Sequence, residues 1–183
     1  MRQQIETINR EEALAVQVAP IDEVAETLRE DALNQTKEKL SEHDGSLISL
    51  FARRDFFEAF KYELTSKVAE VLAANDRNVQ AIYIFDANAN PDAESGEEMP
   101  LDATIHLLVV CAPSAALQAY IESLDRALVR SLKILPSPLL KQRELILDVN
   151  LITERDIEHR IGYAKLLSSV FAPPLKVWQR EES

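Results

Sequence analysis

The feature that most constrains the fold is a pair of strand-like runs joined by a long polar stretch. The runs are residues 79–85 (VQAIYIF) and 103–111 (ATIHLLVVC), both rich in β-branched, aromatic and aliphatic residues. Residues 86–100 between them read DANANPDAESGEEMP and include two prolines and a glycine. Parallel strands need a crossover connection, usually a helix, and this stretch is too polar and too rich in helix breakers to form one. The sequence therefore predicts that the first two strands are antiparallel.

A third strand is predicted at residues 144–152, after an amphipathic helix at residues 114–132. The helix carries an apolar stripe made of Leu117, Tyr120, Ile121, Leu124, Leu128 and Leu132. A strand, helix, strand connection favours parallel pairing of the second and third strands. A further helical stripe covers residues 154–171 and is ended by Pro173 and Pro174. The tail that follows either docks through Trp178 or stays loose.

The first 75 residues carry mainly helical patterns. Asn9 and Glu12 form a capping-box pattern ahead of ALAVQV, which predicts a short helix. Apolar residues at helical spacing predict a long surface helix from residue 21 to residue 43, and LISLFARR predicts a brief one. The clearest helix is predicted at residues 55–74, with one apolar face made of Phe57, Phe60, Leu64, Val68 and Val71.

These patterns together predict an α+β protein. Its core is a mixed β-sheet of three or more strands flanked by helices. An amino-terminal helical segment spans residues 1–54 and an α+β domain spans residues 55–183, unless the two form one continuous domain.

Composition and charge indicate the cellular compartment and the classes of partner to expect. The net charge is −11, and the acidity lies in the first 112 residues. Such a field repels phosphate backbones, so we expect a protein partner or self-association rather than nucleic acid. No apolar run approaches the ~20 residues that cross a bilayer, so no membrane span is expected. The single cysteine and an amino terminus without the apolar segment of a secretory signal predict a cytoplasmic protein.

The order of elements, with YIFDANA and DATIHLLVV on either side of the long turn, resembles the minimal core of the nucleotidyltransferase superfamily related to DNA polymerase β. The resemblance covers roughly residues 55–152. In that family the first strand ends in a Gly-Ser pair. The second strand carries two acidic residues separated by one apolar residue, and a third acid lies on a later strand. The resemblance implies transfer of a nucleotidyl group from a nucleoside triphosphate, assisted by two magnesium ions.

The residues at the matching positions differ from that motif. Asp86 and Ala87 stand in place of Gly-Ser, and Thr104 and His106 stand in place of the paired acids. Asp148 matches the third acid. Carboxylates two residues apart on a strand share a face and can hold cations together, whereas threonine and histidine are poor magnesium ligands. The sequence therefore predicts a degenerate active site and no cofactor.

Three functions remain open. The first is a catalytically degenerate nucleotidyltransferase-like domain that acts as a binding or regulatory module and is not an enzyme. The second is an active magnesium-dependent transferase with displaced acids, using Asp102, Asp148 and a carboxylate of the long turn. The third is a helical assembly protein that forms oligomers through its amino-terminal helices.

His106 interrupts an otherwise aliphatic strand. It is either an acid/base or ligand group near Asp148, or a buried histidine paired with that aspartate. We favour the second interpretation, because buried polar groups need partners. Asp148 and Asn150 share a face of the third strand. Cys111 lies in an apolar run and is expected to be buried and unreactive.

Arg126, Arg130 and Lys133 lie on one side of the helix at residues 114–132 and form a basic cluster. This cluster is either a solvated outer face or a surface for an acidic protein partner. The acidic amino-terminal half of a second subunit would also fit it.

Overall fold

The computed structural model of the 183-residue chain describes residues 19–42, 44–85, 101–170 and 172–181. The helix predicted after Asn9 and the long turn at residues 86–100 lie outside these ranges. The helices are α1 (Ile21–Lys39), α2 (Leu47–Phe51), α3 (Arg54–Asn75), α4 (Ala115–Leu132), α5 (Pro138–Lys141) and α6 (Glu154–His159), with a 3₁₀ helix at Gly162–Ser168. The strands are β1 (Val79–Ile84), β2 (Ile105–Cys111), β3 (Leu147–Ile152) and β4 (Leu175–Gln179).

The four strands form one mixed sheet in the order β3-β2-β1-β4. β1 is antiparallel to both β2 and β4, and β2 is parallel to β3. The predicted α+β class, the antiparallel first pair and the parallel second pair are therefore confirmed. The register of the parallel pair sets His106 beside Asp148.

Helices pack on one face of the sheet and enclose the main hydrophobic core. In β2 this face presents Ile105, Leu107, Val109 and Cys111, because alternate residues of a strand point to the same side. The predicted apolar stripe of α3 packs into the core, with Phe57, Phe60, Leu64 and Val68 buried and Val71 half-buried. Phe51 of α2 makes edge-on ring contacts with Phe56 and Phe60 at centroid distances of 5.3 and 5.2 Å.

Helix α1 also contributes to this core. Ala25, Leu28 and Ala32 are buried in it. The spacing of apolar residues that predicts a long surface helix therefore also identifies the face of α1 that packs into the core. No helix within the described ranges is long and apolar enough to cross a membrane.

The opposite face of the sheet carries a smaller hydrophobic cluster. Ala81, Leu108, Val110 and Ile152 are buried there, and Ala164 of the 3₁₀ helix packs over them. His106, Asp148 and Asn150 lie on this face by the same alternation. We call it the second face.

One prediction for the last 30 residues needs correction, and one open alternative is resolved. The single helix predicted at residues 154–171 is wrong. Thr153 caps α6, but Arg160 adopts a left-handed conformation (φ 51°) and ends it, and the chain continues as the 3₁₀ helix. The tail forms β4, a strand that the sequence analysis left open. Its Trp178 packs against the main core, in agreement with the docking alternative.

Candidate functional site

Three polar side chains meet on the second face, near the start of β2 and β3. His106 Nδ1 lies 2.8 Å from Asp148 Oδ2, and His106 Nε2 lies 3.1 Å from Asp102 Oδ2. The His106 side chain is only 14% exposed. Because residues 106 and 148 are in register on parallel strands, the sheet itself fixes the first contact. We call Asp102, His106 and Asp148 the acid–histidine cluster.

Asp102 is held just ahead of β2 by several donors. Its Oδ1 accepts hydrogen bonds from the Thr104 N–H at 2.9 Å and from Arg143 Nη2 at 3.1 Å. Lys61 Nζ of α3 donates to the Asp102 backbone carbonyl at 2.8 Å. Burial by itself would raise the pKa of the Asp102 carboxyl. The hydrogen bonds from the Thr104 amide and from His106, with the charge of Lys61, outweigh burial and lower this pKa below its ordinary value.

The start of β3 is fixed by α4. Asp125 Oδ1 accepts the N–H groups of both Ile146 and Leu147 at 2.8 Å. The Asp125 carboxylate therefore fixes the first residue of β3, Leu147, which directly precedes Asp148. The Asp148 side chain is 44% exposed, so the cluster opens to solvent on its side.

Aromatic rings border the cluster. The Phe85 ring lies 5.5 Å from the His106 ring and 6.0 Å from the Tyr163 ring, measured between centroids. Tyr163 is half-exposed. The Phe85 ring covers one side of the imidazole, and the carboxylate of Asp148 stays partly exposed.

The arrangement has a clear consequence for metal binding. A neutral imidazole carries one N–H and donates to one carboxylate, whereas an imidazolium donates to both. In either form the ring lies between Asp102 and Asp148 and keeps the two carboxylates from meeting at one cation. Within the ranges that the structure describes, no three His, Cys, Asp or Glu side chains are grouped so as to hold a metal ion. The described residues of the acid–histidine cluster do not, by themselves, fit a two-magnesium site.

The structure brings together some of the predicted site residues. His106 and Asp148 are paired, as the favoured interpretation of His106 requires, and Asp102 joins them. The Thr104 side chain is buried, and its backbone N–H donates a hydrogen bond to Asp102 Oδ1. Asp86 and Ala87 lie outside the described residues. Sequence reasoning missed Arg143, since nothing local marks a contact between residues 41 positions apart.

The three residues of the predicted basic cluster are exposed and make different contacts within the chain. Arg130 Nη2 donates to Asp22 Oδ1 of α1 at 2.5 Å, so the acidic segment that it contacts belongs to the same chain. Arg126 donates to Ser123 of its own helix at 3.3 Å, and Lys133 is exposed at the carboxyl end of α4. Cys111 is buried as predicted, and burial raises the pKa of its thiol.

Comparisons with known proteins assign no family to this geometry. Neither the protein-family models, nor the curated proteins, nor the solved structures give a match to the chain. The acid–histidine cluster and the sheet that positions it are therefore the basis on which a function can be argued.

Proposed function

We propose that the chain is a nucleotidyltransferase-like domain that does not carry out metal-dependent nucleotide transfer and acts as a binding or regulatory module. The observation that carries the proposal is the imidazole of His106 between the carboxylates of Asp102 and Asp148. A cation would have to take the place that the ring holds.

The topology supports the family resemblance behind this proposal. An antiparallel pair followed by a parallel third strand places residues 106 and 148 side by side. In a nucleotidyltransferase the second acid of the pair and the third acid would stand at these two positions. Here one of them is histidine, so the same backbone arrangement supports an internal ion pair or hydrogen bond instead of a shared cation.

Electrostatics favour the placement of an imidazole between the two carboxylates. Two neighbouring carboxylates repel each other unless a positive group or a hydrogen-bond donor lies between them. His106 provides the donor, and Arg143 adds a fixed positive charge on the outer side of Asp102 at 3.1 Å. Charge-assisted hydrogen bonds of this kind are roughly twice as strong as neutral ones. The cluster therefore has no electrostatic need for a divalent ion.

The other two functions are less well supported. An active transferase that used Asp102 and Asp148 would require the His106 ring to leave its position between them. An oligomer formed by the amino-terminal helices would require a free apolar face, but Ala25, Leu28 and Ala32 of α1 are buried against the rest of this chain.

A pair of substitutions at residue 106 tests the proposal. His106→Asp removes the ring and places an acidic side chain beside Asp148. His106→Asn also removes the ring, and asparagine has nearly the same shape as aspartate without its charge. We expect wild-type protein to show no Mn²⁺ binding by titration calorimetry, and neither wild type nor His106→Asn to transfer a nucleotide from Mg-ATP. We expect His106→Asp to bind Mn²⁺ at least about tenfold more tightly than His106→Asn, a difference of about 1.4 kcal/mol.

Two results would contradict the proposal. One is metal-dependent transfer of a nucleotide by the wild-type chain to any acceptor. The other is Mn²⁺ binding by wild type that His106→Asn leaves unchanged, because the ring would then have no part in keeping a cation out. Circular dichroism of each variant checks that the fold is retained.

A further inference from the structure

A groove of about 360 Å³ lies between α1 and α3 and opens to the surface. Its apolar lining includes Val24 and Leu28 of α1 and Val71 of α3. Leu28 is buried at the bottom, whereas Val24 and Val71 are only half-buried. The groove is therefore apolar surface that a further segment of chain can cover.

Ala19 shows where the chain meets this groove. It is the first residue that the structure describes, and it lines the groove together with residues of α1 as far as Asp31. The next residue, Pro20, has an extended backbone with φ −52° and ψ 140°. A residue that precedes proline is itself restricted to extended conformations. The residues before Ala19 therefore start at one end of the groove and do not continue α1.

The chemistry of the preceding run suits an apolar groove. Residues 13–18 read ALAVQV and carry no charge. The large apolar residues Leu14, Val16 and Val18 alternate with small or polar ones. In an extended chain alternate side chains point to the same side, so these three would form one apolar row. The capping-box pattern predicts a helix for this run, but the alternation and the proline that follows favour an extended segment.

The length of the run also matches the groove. In extended form residues 14–18 span about 13 Å, because each residue advances the chain by about 3.3 Å. The groove follows α1 from Glu23 to Asp31. That part of the helix is about 12 Å long at a rise of about 1.5 Å per residue. An extended run of this size therefore fills the groove from end to end.

We propose that residues 13–18 of the same chain occupy this groove in extended form, antiparallel to α1, with their three large apolar side chains turned into it. The segment is joined to the groove directly at Ala19. A tethered segment acts at a high effective concentration, which favours it over the same segment of a second copy. Lys67 and Glu70, which also line the groove, pair with each other at 3.2 Å, so they require no charge from the occupant.

Thiol labelling in the groove tests this docking in the full-length chain. Val71→Cys places a thiol in the groove with little change of volume, and native Cys111 is only 4% exposed and should not react. We expect iodoacetamide to label the introduced thiol at least about tenfold faster when Val16→Asn is added, because a polar side chain replaces a covered apolar one. Gln17→Asn introduces the same side chain on the opposite side of the segment and should leave the rate unchanged.

A thiol outside the groove controls for unfolding. Glu58→Cys lies exposed on the same helix, α3, and its labelling rate should be equal with and without Val16→Asn. The rate at residue 71 should not depend on protein concentration, since the segment belongs to the same chain. A rate that Val16→Asn leaves unchanged overturns the proposal, as does an equal effect of Gln17→Asn. Protection that grows with protein concentration also overturns it and assigns the groove to a second copy.

Discussion

At the scale of single residues, Asp102 is the side chain on which the cluster depends. It accepts the Thr104 N–H and Arg143 on one oxygen and faces His106 with the other. A carboxylate that accepts several hydrogen bonds is stabilised in its charged form. The lowered pKa of Asp102 therefore has a consequence for the stability of the folded protein.

We predict that Asp102 makes the protein more stable at neutral pH than in acid. Because its folded pKa is lowered, the stabilisation is present above the ordinary aspartate pKa of about 4 and is lost as pH falls toward the folded value. Asp102→Asn should therefore reduce the free energy of unfolding at pH 7 and flatten its dependence on pH below about pH 4. Urea unfolding of both proteins from pH 7 to pH 3 measures this. Parallel pH curves for the two proteins would show that Asp102 does not contribute.

At the scale of elements, Arg180 attaches β4 to the rest of the fold. Its guanidinium donates to the backbone carbonyls of Val79 at 3.0 Å and Ala73 at 3.2 Å, and it lies 5.2 Å from the centroid of the Trp178 ring. Ala73 belongs to the last turn of α3, where unpaired carbonyls favour a positive charge. One side chain thus joins the end of α3, the start of β1 and the last strand.

Arg180→Ala should loosen this strand. Hydrogen bonds from a charged group contribute roughly 1.5–3 kcal/mol each, with strong dependence on context. We expect a loss of about 1–3 kcal/mol in unfolding free energy and faster hydrogen exchange of the β4 amides. Arg126→Ala is the matched control, because Arg126 is exposed and contacts Ser123 of its own helix. Equal effects of the two substitutions would rule out the anchoring role.

The elements that the sequence predicts well are those with a local pattern. The apolar stripe at residues 114–132 predicts helix α4, and the breaker-rich sequence between β1 and β2 predicts their antiparallel pairing. The end of α6 at Arg160 and the pairing of β4 depend on contacts made elsewhere in the fold. A helical stripe alone cannot show that a residue will adopt a left-handed conformation and stop the helix.

The sequence likewise predicts one part of the candidate site and not the other. Strand alternation places Asp102 and His106 on one face, and parallel pairing brings Asp148 to them, so the sequence indicates the cluster. Lys61 of α3 and Arg143 of the connection before β3 both reach Asp102. Their contribution depends on how helices and loops pack around the sheet, which no spacing in the sequence records.

At the scale of the whole molecule, helix α1 joins the amino-terminal residues to the sheet domain. Its buried Leu28 belongs to the same hydrophobic core as α3, α4 and the sheet. Arg29 donates to Ser131 Oγ at 3.0 Å, and Asp22 accepts from Arg130, so polar contacts with α4 border the apolar ones. The predicted boundary near residue 54 therefore falls between helices that share one core.

A shared core predicts that the chain unfolds as one unit. Leu28→Ala should lower the unfolding free energy by about 2–5 kcal/mol, the usual loss for a buried leucine. The single tryptophan, Trp178, lies on β4, so its fluorescence reports on the sheet while far-ultraviolet circular dichroism reports mainly on the helices. Both transitions should shift together. Ile48→Ala is the control, since that side chain is 72% exposed. If the dichroism shifts while the Trp178 transition stays at its wild-type position, the amino-terminal helices unfold independently of the sheet and the shared core does not couple them.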